Sequence, residues 1–184
     1  SKLESGQIDD PELMDLNQVV ALAIDRTASG AERQEITVRT ETGTDGPVFA
    51  DGDLSQMVSA VSNLLDNAIK YSDPGAVVTV AVNRLSLIEG ELVVSDTGVG
   101  IPQADLGRIF ERFYRVDDAR SRATGGTGLV LSIVRHVVLN HQGSIHVEST
   151  EGQGTSFIMR LPLSAVHHVA DDAPVAPSAL GFGL

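Results

Sequence analysis

Asn63, Asn67 and Lys70 fall on one stripe of a segment that otherwise reads as an amphipathic helix. Two asparagines one turn apart sit badly in mid-helix, because the amide competes for backbone hydrogen bonds. A face that only meets water carries Glu, Lys or Gln at less cost. A row of neutral amide oxygens beside one cation suits a polyphosphate chelated by magnesium. That metal takes hard oxygen ligands, usually one or two from protein and the rest from phosphates and water. An amide supplies such an oxygen without placing negative charge beside the phosphates, and a lysine meets a phosphate as a point charge. The competing reading is a polar helix face with no ligand.

Other constellations point the same way. Asp96-Thr97-Gly98-Val99-Gly100-Ile101 ends a predicted strand with a carboxylate able to receive a base amino group, and its glycines let the backbone approach a flat ring. A plain tight turn is the alternative. The segment is not a Walker loop, since the chain has no Gly-Lys pair, nor a dinucleotide fingerprint, since the third glycine is missing. Gly125-Gly126-Thr127-Gly128 precedes a long helix, where exposed backbone N–H groups favour an anion; a glycine hinge competes. Arg108, Arg112, Arg115, Arg120 and Arg122 crowd the intervening stretch, with Glu111, Asp117 and Asp118 among them. One arginine reaching a transferring phosphoryl group is enough for catalysis, and a solvated charged loop accounts for the rest. His136, His141, His146, His167 and His168 show no metal-ligand spacing and read as structural or surface residues.

The elements that must position these groups follow from periodicity and punctuation. Asp15 opens a first helix with Gln18 as capping-box partner, and Gly30 lies near its end. Residues 35–40 and 48–50 are short strand candidates around a Gly-Thr-Asp-Gly-Pro turn. Asp53 and Gln56 cap a second helix whose inner face is Leu54, Met57, Val58, Val61, Leu64, Leu65, Ala68 and Ile69. Residues 76–82 and 91–95 read as a hairpin joined near Glu89-Gly90. The stretch 97–127 is long and glycine-rich, as functional lids are, with one short helix started by Pro102. A third helix over 128–140 turns Leu129, Ile133, Val134, Val137 and Val138 inward, and strands follow at 144–149 and 155–161. This order predicts an α/β sandwich (α+β): a mixed, largely antiparallel sheet with one face covered by three helices.

Bulk properties bound the possibilities. The chain has 184 residues, 42% apolar and 21% charged, enough for one domain with a core. A net charge of −12 argues against non-specific binding to nucleic acid or anionic lipid. Cysteine is absent, which excludes disulfides and thiolate metal sites. No apolar run approaches the roughly 18 residues of a membrane span. The chain begins at Ser1 without an initiator methionine and is expected to be a piece of a larger protein.

Taken in order, residues 9–162 resemble the ATP-binding catalytic domain of bacterial sensor histidine kinases, in the GHKL ATPase superfamily. The resemblance rests on Asn63-x-x-x-Asn67-Ala68-x-Lys70-Tyr71, Asp96-x-Gly98-x-Gly100-Ile101-Pro102, Ile109-Phe110-Glu111-Arg112-Phe113-Tyr114-Arg115, Gly126-Thr127-Gly128-Leu129 and Gly152-x-Gly154-Thr155-x-Phe157. It implies that Asn67, with Asn63, holds Mg²⁺, that Lys70 touches the phosphates of ATP and Tyr71 the nucleotide, and that Asp96 binds the adenine amino group. Gly98, Gly100, Ile101, Gly126, Thr127, Gly128, Leu129 and Thr155 complete the implied nucleotide-binding set. Phe110 and Phe113 would anchor a flexible ATP lid over about 97–127, and Arg115 would reach the γ-phosphate. Asn63, Lys70 and Arg115 are the implied catalytic groups. The phosphoryl group would pass to a histidine on a separate dimerisation domain and then to a response-regulator receiver. The fragment would be monomeric and lie in the cytoplasm, with its parent anchored in the membrane.

Two departures stand out. No histidine here lies in the acceptor context, so residues 1–14 are expected to be the stub of the dimerisation hairpin and a linker, ahead of a domain at 15–162 and a disordered tail at 163–184. Val130 stands where the family carries glycine. Crowding there would cost about 1–3 kcal/mol, roughly a five- to hundredfold loss of affinity, unless Val130 points into the core. An impaired nucleotide-binding module is thus one alternative. A GHKL ATP hydrolase is another, although such enzymes place a water-activating glutamate where Asn63 stands.

Overall fold

The computed structural model describes residues 8–43, 46–116 and 128–165. The expectations for Ser1–Gly6, Arg120, Arg122, Gly126, Thr127, His167, His168 and most of the tail lie outside the described residues.

Strand β1 (Glu12–Asp15) leads into helix α1 (Leu16–Arg33). The Asp15 carboxylate caps that helix by accepting from Asn17 N at 3.0 Å, and it also takes Val48 N at 3.3 Å. The helix runs through Gly30 to Arg33 before Glu35, at φ 55°, reverses the chain. Strands β2 (Thr37–Thr42) and β3 (Phe49–Gly52) follow. Residues 12–14, read from sequence as linker, are instead paired with β3, Leu13 opposite Asp51 and Met14 opposite Ala50. That pairing buries Met14.

Helix α2 (Leu54–Tyr71) starts at the expected cap: Asp53 Oδ1 accepts from Gln56 N at 2.9 Å, and Gln56 Nε2 donates back to Asp53 Oδ2 at 3.3 Å. Its inner face is the predicted one, with Met57, Val61, Leu64 and Leu65 fully buried. Strands β4 (Val77–Arg84) and β5 (Glu89–Asp96) form the expected hairpin, but its turn lies at residues 85–88. The Ser86 hydroxyl accepts from Ile88 N and Glu89 N there, and so Glu89 and Gly90 are free to pair within β5. Pro102 starts no helix. Asp105 N donates to Pro102 O, Arg108 N to Asp105 O and Glu111 N to Arg108 O, a succession of turns the second of which contains Gly107, a poor helix former.

Helix α3 (Val130–Asn140) and strands β6 (Ser144–Thr150) and β7 (Gly154–Pro162) complete the domain. The main sheet has the order β2-β4-β5-β7-β6, parallel only between β2 and β4. Register carries apolar side chains across one face in rows: Val80, Val94, Phe157 and Val147 in one, Val82, Leu92, Met159 and Ile145 in the next. The three helices cover this face, α2 packing against both α1 and α3, as the sequence predicts. In α3 only part of the expected inner stripe is inward: Val134 and Val138 are buried, whereas Ile133 is 52% exposed. An eleven-residue helix has room for one narrow buried stripe, and i, i+4 spacing selects Val134 and Val138.

His141 joins the helical layer. It is buried at the end of α3, its Nδ1 donates to Val137 O at 2.8 Å and its Nε2 accepts from Asp53 N at 3.0 Å. The imidazole therefore fastens the end of α3 to the cap of α2. His136 and His146 are exposed.

Candidate functional site

A cleft open to solvent lies beside the C-terminal half of α2. Its walls come from segments far apart in sequence: Asn67, Lys70 and Tyr71 from α2; Asp96, Val99, Gly100 and Ile101 from the end of β5 and the turn after it; Thr155 and Phe157 from β7; Ile109, Tyr114, Arg115 and Val116 from the segment before residue 117; Gly128, Val130 and Leu131 from the start of α3.

The α2 wall exists because the helix buries its Leu64, Leu65, Ala68 and Ile69 stripe and must turn residues 63, 67 and 70 elsewhere. Asn67 and Lys70 line the cleft, while Asn63, one turn earlier, stands outside its lining. Neither asparagine amide makes a hydrogen bond to another described residue, so the Asn67 oxygen is unspent. The Lys70 ammonium lies 5.6 Å from the centre of the Tyr71 ring.

Asp96 sits half-buried where β5 ends. Its Oδ1 accepts from Gly98 N at 2.8 Å, and the Thr155 backbone N–H also reaches the carboxylate. Burial pushes the Asp96 carboxyl above the ordinary carboxylate range, and these two donors pull it partly back. The glycines after it serve the protein's own backbone. A Cβ at Gly98 would stand 2.3 Å from Tyr71 O, and one at Gly100, whose φ is +70°, would stand 2.2 Å from Thr150 O. Gly98 is thus packed behind the cleft, and Gly100 lines it.

The segment 102–116 is pinned at two points. Phe110 packs edge-on against Phe157, centroids 6.2 Å apart. The Tyr114 hydroxyl donates to Asp105, with the Arg108 guanidinium 4.3 Å over the Tyr114 ring. Phe113, expected as a second anchor, is 72% exposed. Its φ of 66° and the bond from its N–H to Gly128 O turn the ring outward. Arg115 lines the cleft.

Gly128 lines the cleft at φ +75°, and Leu129 follows it outside the lining, at an N-terminus of α3 with no side-chain cap. Val130 is 39% exposed and borders the cleft, so it does not point into the core. Sequence reasoning missed Val99, Ile109, Tyr114, Val116, Leu131 and Phe157 as lining residues. Of these, Val99, Ile109, Tyr114 and Phe157 lay within segments already singled out.

This arrangement has counterparts among known proteins. Residues 52–165 match the model of the histidine kinase-, DNA gyrase B-, and HSP90-like ATPase family. The chain belongs to that family. The sensor-like histidine kinase SenX3 of Mycolicibacterium smegmatis is 41% identical over 163 residues, covering 88% of this chain and 42% of the relative. The structure of the mycobacterial sensor histidine kinase MprB superposes with a TM-score of 0.71 at 33% identity, covering 83% of this chain and 97% of that one. Full-length ShkA in complex with AMPPNP shares the fold, with a TM-score of 0.73 at 21% identity over 84% of this chain and 31% of its own. The chain thus spans less than half the length of the curated relative, and within this ATPase family its fold is that of histidine kinase catalytic domains.

Proposed function

We propose that this chain is the ATP-binding catalytic domain of a sensor histidine kinase, donating the γ-phosphoryl group of ATP to a histidine on a separate dimerisation domain, for relay to a response regulator. The observation that carries the reading is convergence: Asn67, Lys70, Asp96, Arg115 and Thr155 come from four segments and meet on one cleft. Asp96 receives the base amino group. Lys70 meets the phosphates, and Arg115 meets the charge that develops on the transferred group. The unspent Asn67 amide oxygen fits Mg²⁺, which would neutralise the phosphates' charge; Asn63, one turn away, would assist in holding it. Gly126, Thr127, Gly128 and Leu129 would bind the phosphates, and Tyr71, Gly100 and Ile101 would shape the wall beside the base, with Gly98 packed behind it. The ATP analogue held by ShkA agrees with this ligand class.

Asn63 also separates kinase from hydrolase. An amide cannot take a proton from water, so intrinsic ATP hydrolysis should be slow. Residues 12–162, with β1 paired to β3, would form the catalytic unit, and a membrane anchor of the parent protein would lie elsewhere; among the described residues no helix is long and apolar enough to cross a membrane. The test mixes this chain with the parent protein's helical hairpin and γ-labelled ATP. Label on the hairpin histidine is the expected result. Free phosphate alone would indicate a hydrolase, and intact binding with neither product would indicate a nucleotide sensor.

A further inference from the structure

Ser149, Thr155 and Asp96 stand in one row across β6, β7 and β5, Ser149 opposite Thr155 and Thr155 opposite Asp96. The hydrogen bonds in this row leave little freedom. The Ser149 hydroxyl accepts from Ile101 N at 2.8 Å, lies 2.9 Å from Gly154 O and 2.9 Å from Thr155 Oγ1. A carbonyl only accepts, so the one proton of Ser149 goes to Gly154 O. A hydroxyl has one donor and two lone pairs. One lone pair of Ser149 takes the Ile101 N–H, and the other must therefore take the proton of Thr155. Thr155, 7% exposed and lining the cleft, then has only lone pairs left to offer a ligand. The neighbouring Asp96, when ionised, offers only lone pairs as well.

We infer that Ser149 is a positioning residue for base selection: by absorbing the Thr155 proton it makes the polar wall of the cleft acceptor-only, so that an amino-bearing purine edge is admitted and a 6-oxo edge is turned away. The inference rests on the nucleotide reading of the cleft and adds to it a residue that does not line the cavity. Ser149 acts twice, because its bond to Ile101 N also ties the turn after Asp96 to the β6–β7 connection, where Gly152 N donates to Val99 O at 2.7 Å.

Without the Ser149 hydroxyl, the Thr155 proton is free to turn toward the cleft and donate to a 6-oxo group. The loss of the Ile101 bond weakens all nucleotides alike, whereas the turning of Thr155 changes their ratio. That ratio is the readout a merely structural role would leave unmoved.

The experiment measures calorimetric affinities for Mg-ATP and Mg-ITP, which differ at the purine 6-position. The native chain should prefer ATP. Ser149→Ala should narrow the ATP/ITP ratio by about tenfold, the scale of one hydrogen bond, and Ser149→Thr should keep it within about twofold. Equal weakening of both nucleotides by Ser149→Ala would overturn the inference. If Ser149→Ala does not fold, Thr155→Val decides: removing the acceptor should narrow the ratio, and an unchanged ratio would overturn the inference. A native chain that binds neither nucleotide would remove the nucleotide reading itself, an outcome distinct from binding without the predicted ratio change.

Discussion

Asp96 sets the pH response of the site. Its carboxyl is held above the ordinary range mainly by burial, and it must be ionised to accept an amino group. Affinity for ATP should therefore fall as pH drops through that raised value, a window beginning above the one expected for an exposed aspartate. The unliganded fold responds with the opposite sign, since a raised folded pKa means that the folded state holds the proton more tightly than the unfolded chain. Calorimetric affinities across an acid pH series check the first effect, and Asp96→Asn should abolish the pH dependence with a loss of about 1.5–3 kcal/mol in binding, the value of a hydrogen bond to a charged group. Val130 gives a prediction of opposite direction. Its side chain borders the cleft in the first turn of α3, so Val130→Gly should tighten nucleotide binding, by up to the roughly five- to hundredfold of a relieved 1–3 kcal/mol clash. An unchanged affinity would mean that Val130 crowds nothing. Both residues were legible in the sequence because their motifs occur in order. Ser149 was not: a serine in an alternating strand carries no signal until register sets it opposite Thr155.

At the level of elements, the site depends on how α2 and α3 are held together. His141 spans them with two hydrogen bonds, and its ring fills the space over Gly52, where a Cβ would stand 2.3 Å from His141 Cδ2. His141→Ala should cost about 1–3 kcal/mol of stability through the orphaned Asp53 N–H, with further loss from the cavity left behind. Urea melts of the two proteins measure this. A change within about 0.5 kcal/mol, as for a surface substitution, would contradict it. The sequence marked His141 as structural but gave no partner, since Asp53 lies 88 residues away. Elements with strong periodicity, such as α1, α2 and the β4–β5 pair, were found where the sequence put them, although at α1 Asp15 accepts from Asn17 N and Gln18 makes no capping-box bond to a described residue. β1 was missed because four residues after Pro11 are too few to show alternation. The hairpin turn was misplaced because Glu89-Gly90 looks like a turn, while the true one, Leu85-Ser86-Leu87-Ile88, looks like strand and is closed by a serine hydroxyl.

Across the whole molecule, a net charge of −12 surrounds a cleft that presents Lys70 and Arg115. That contrast suits a small polyanion brought in with its own magnesium and disfavours a long one such as nucleic acid. The sheet and the helical layer exist to bring the amide of α2, the carboxylate of β5 and the hydroxyl of β7 to one place, which no local pattern could state but the order of the motifs implied. The most direct test of this account is a calorimetric titration of the chain and of its Val130→Gly variant with ATP, with and without Mg²⁺. The account predicts saturable one-to-one binding that strengthens with Mg²⁺ and loses that dependence in Asn67→Ala. Absence of binding heat in both the chain and the Val130→Gly variant would contradict it.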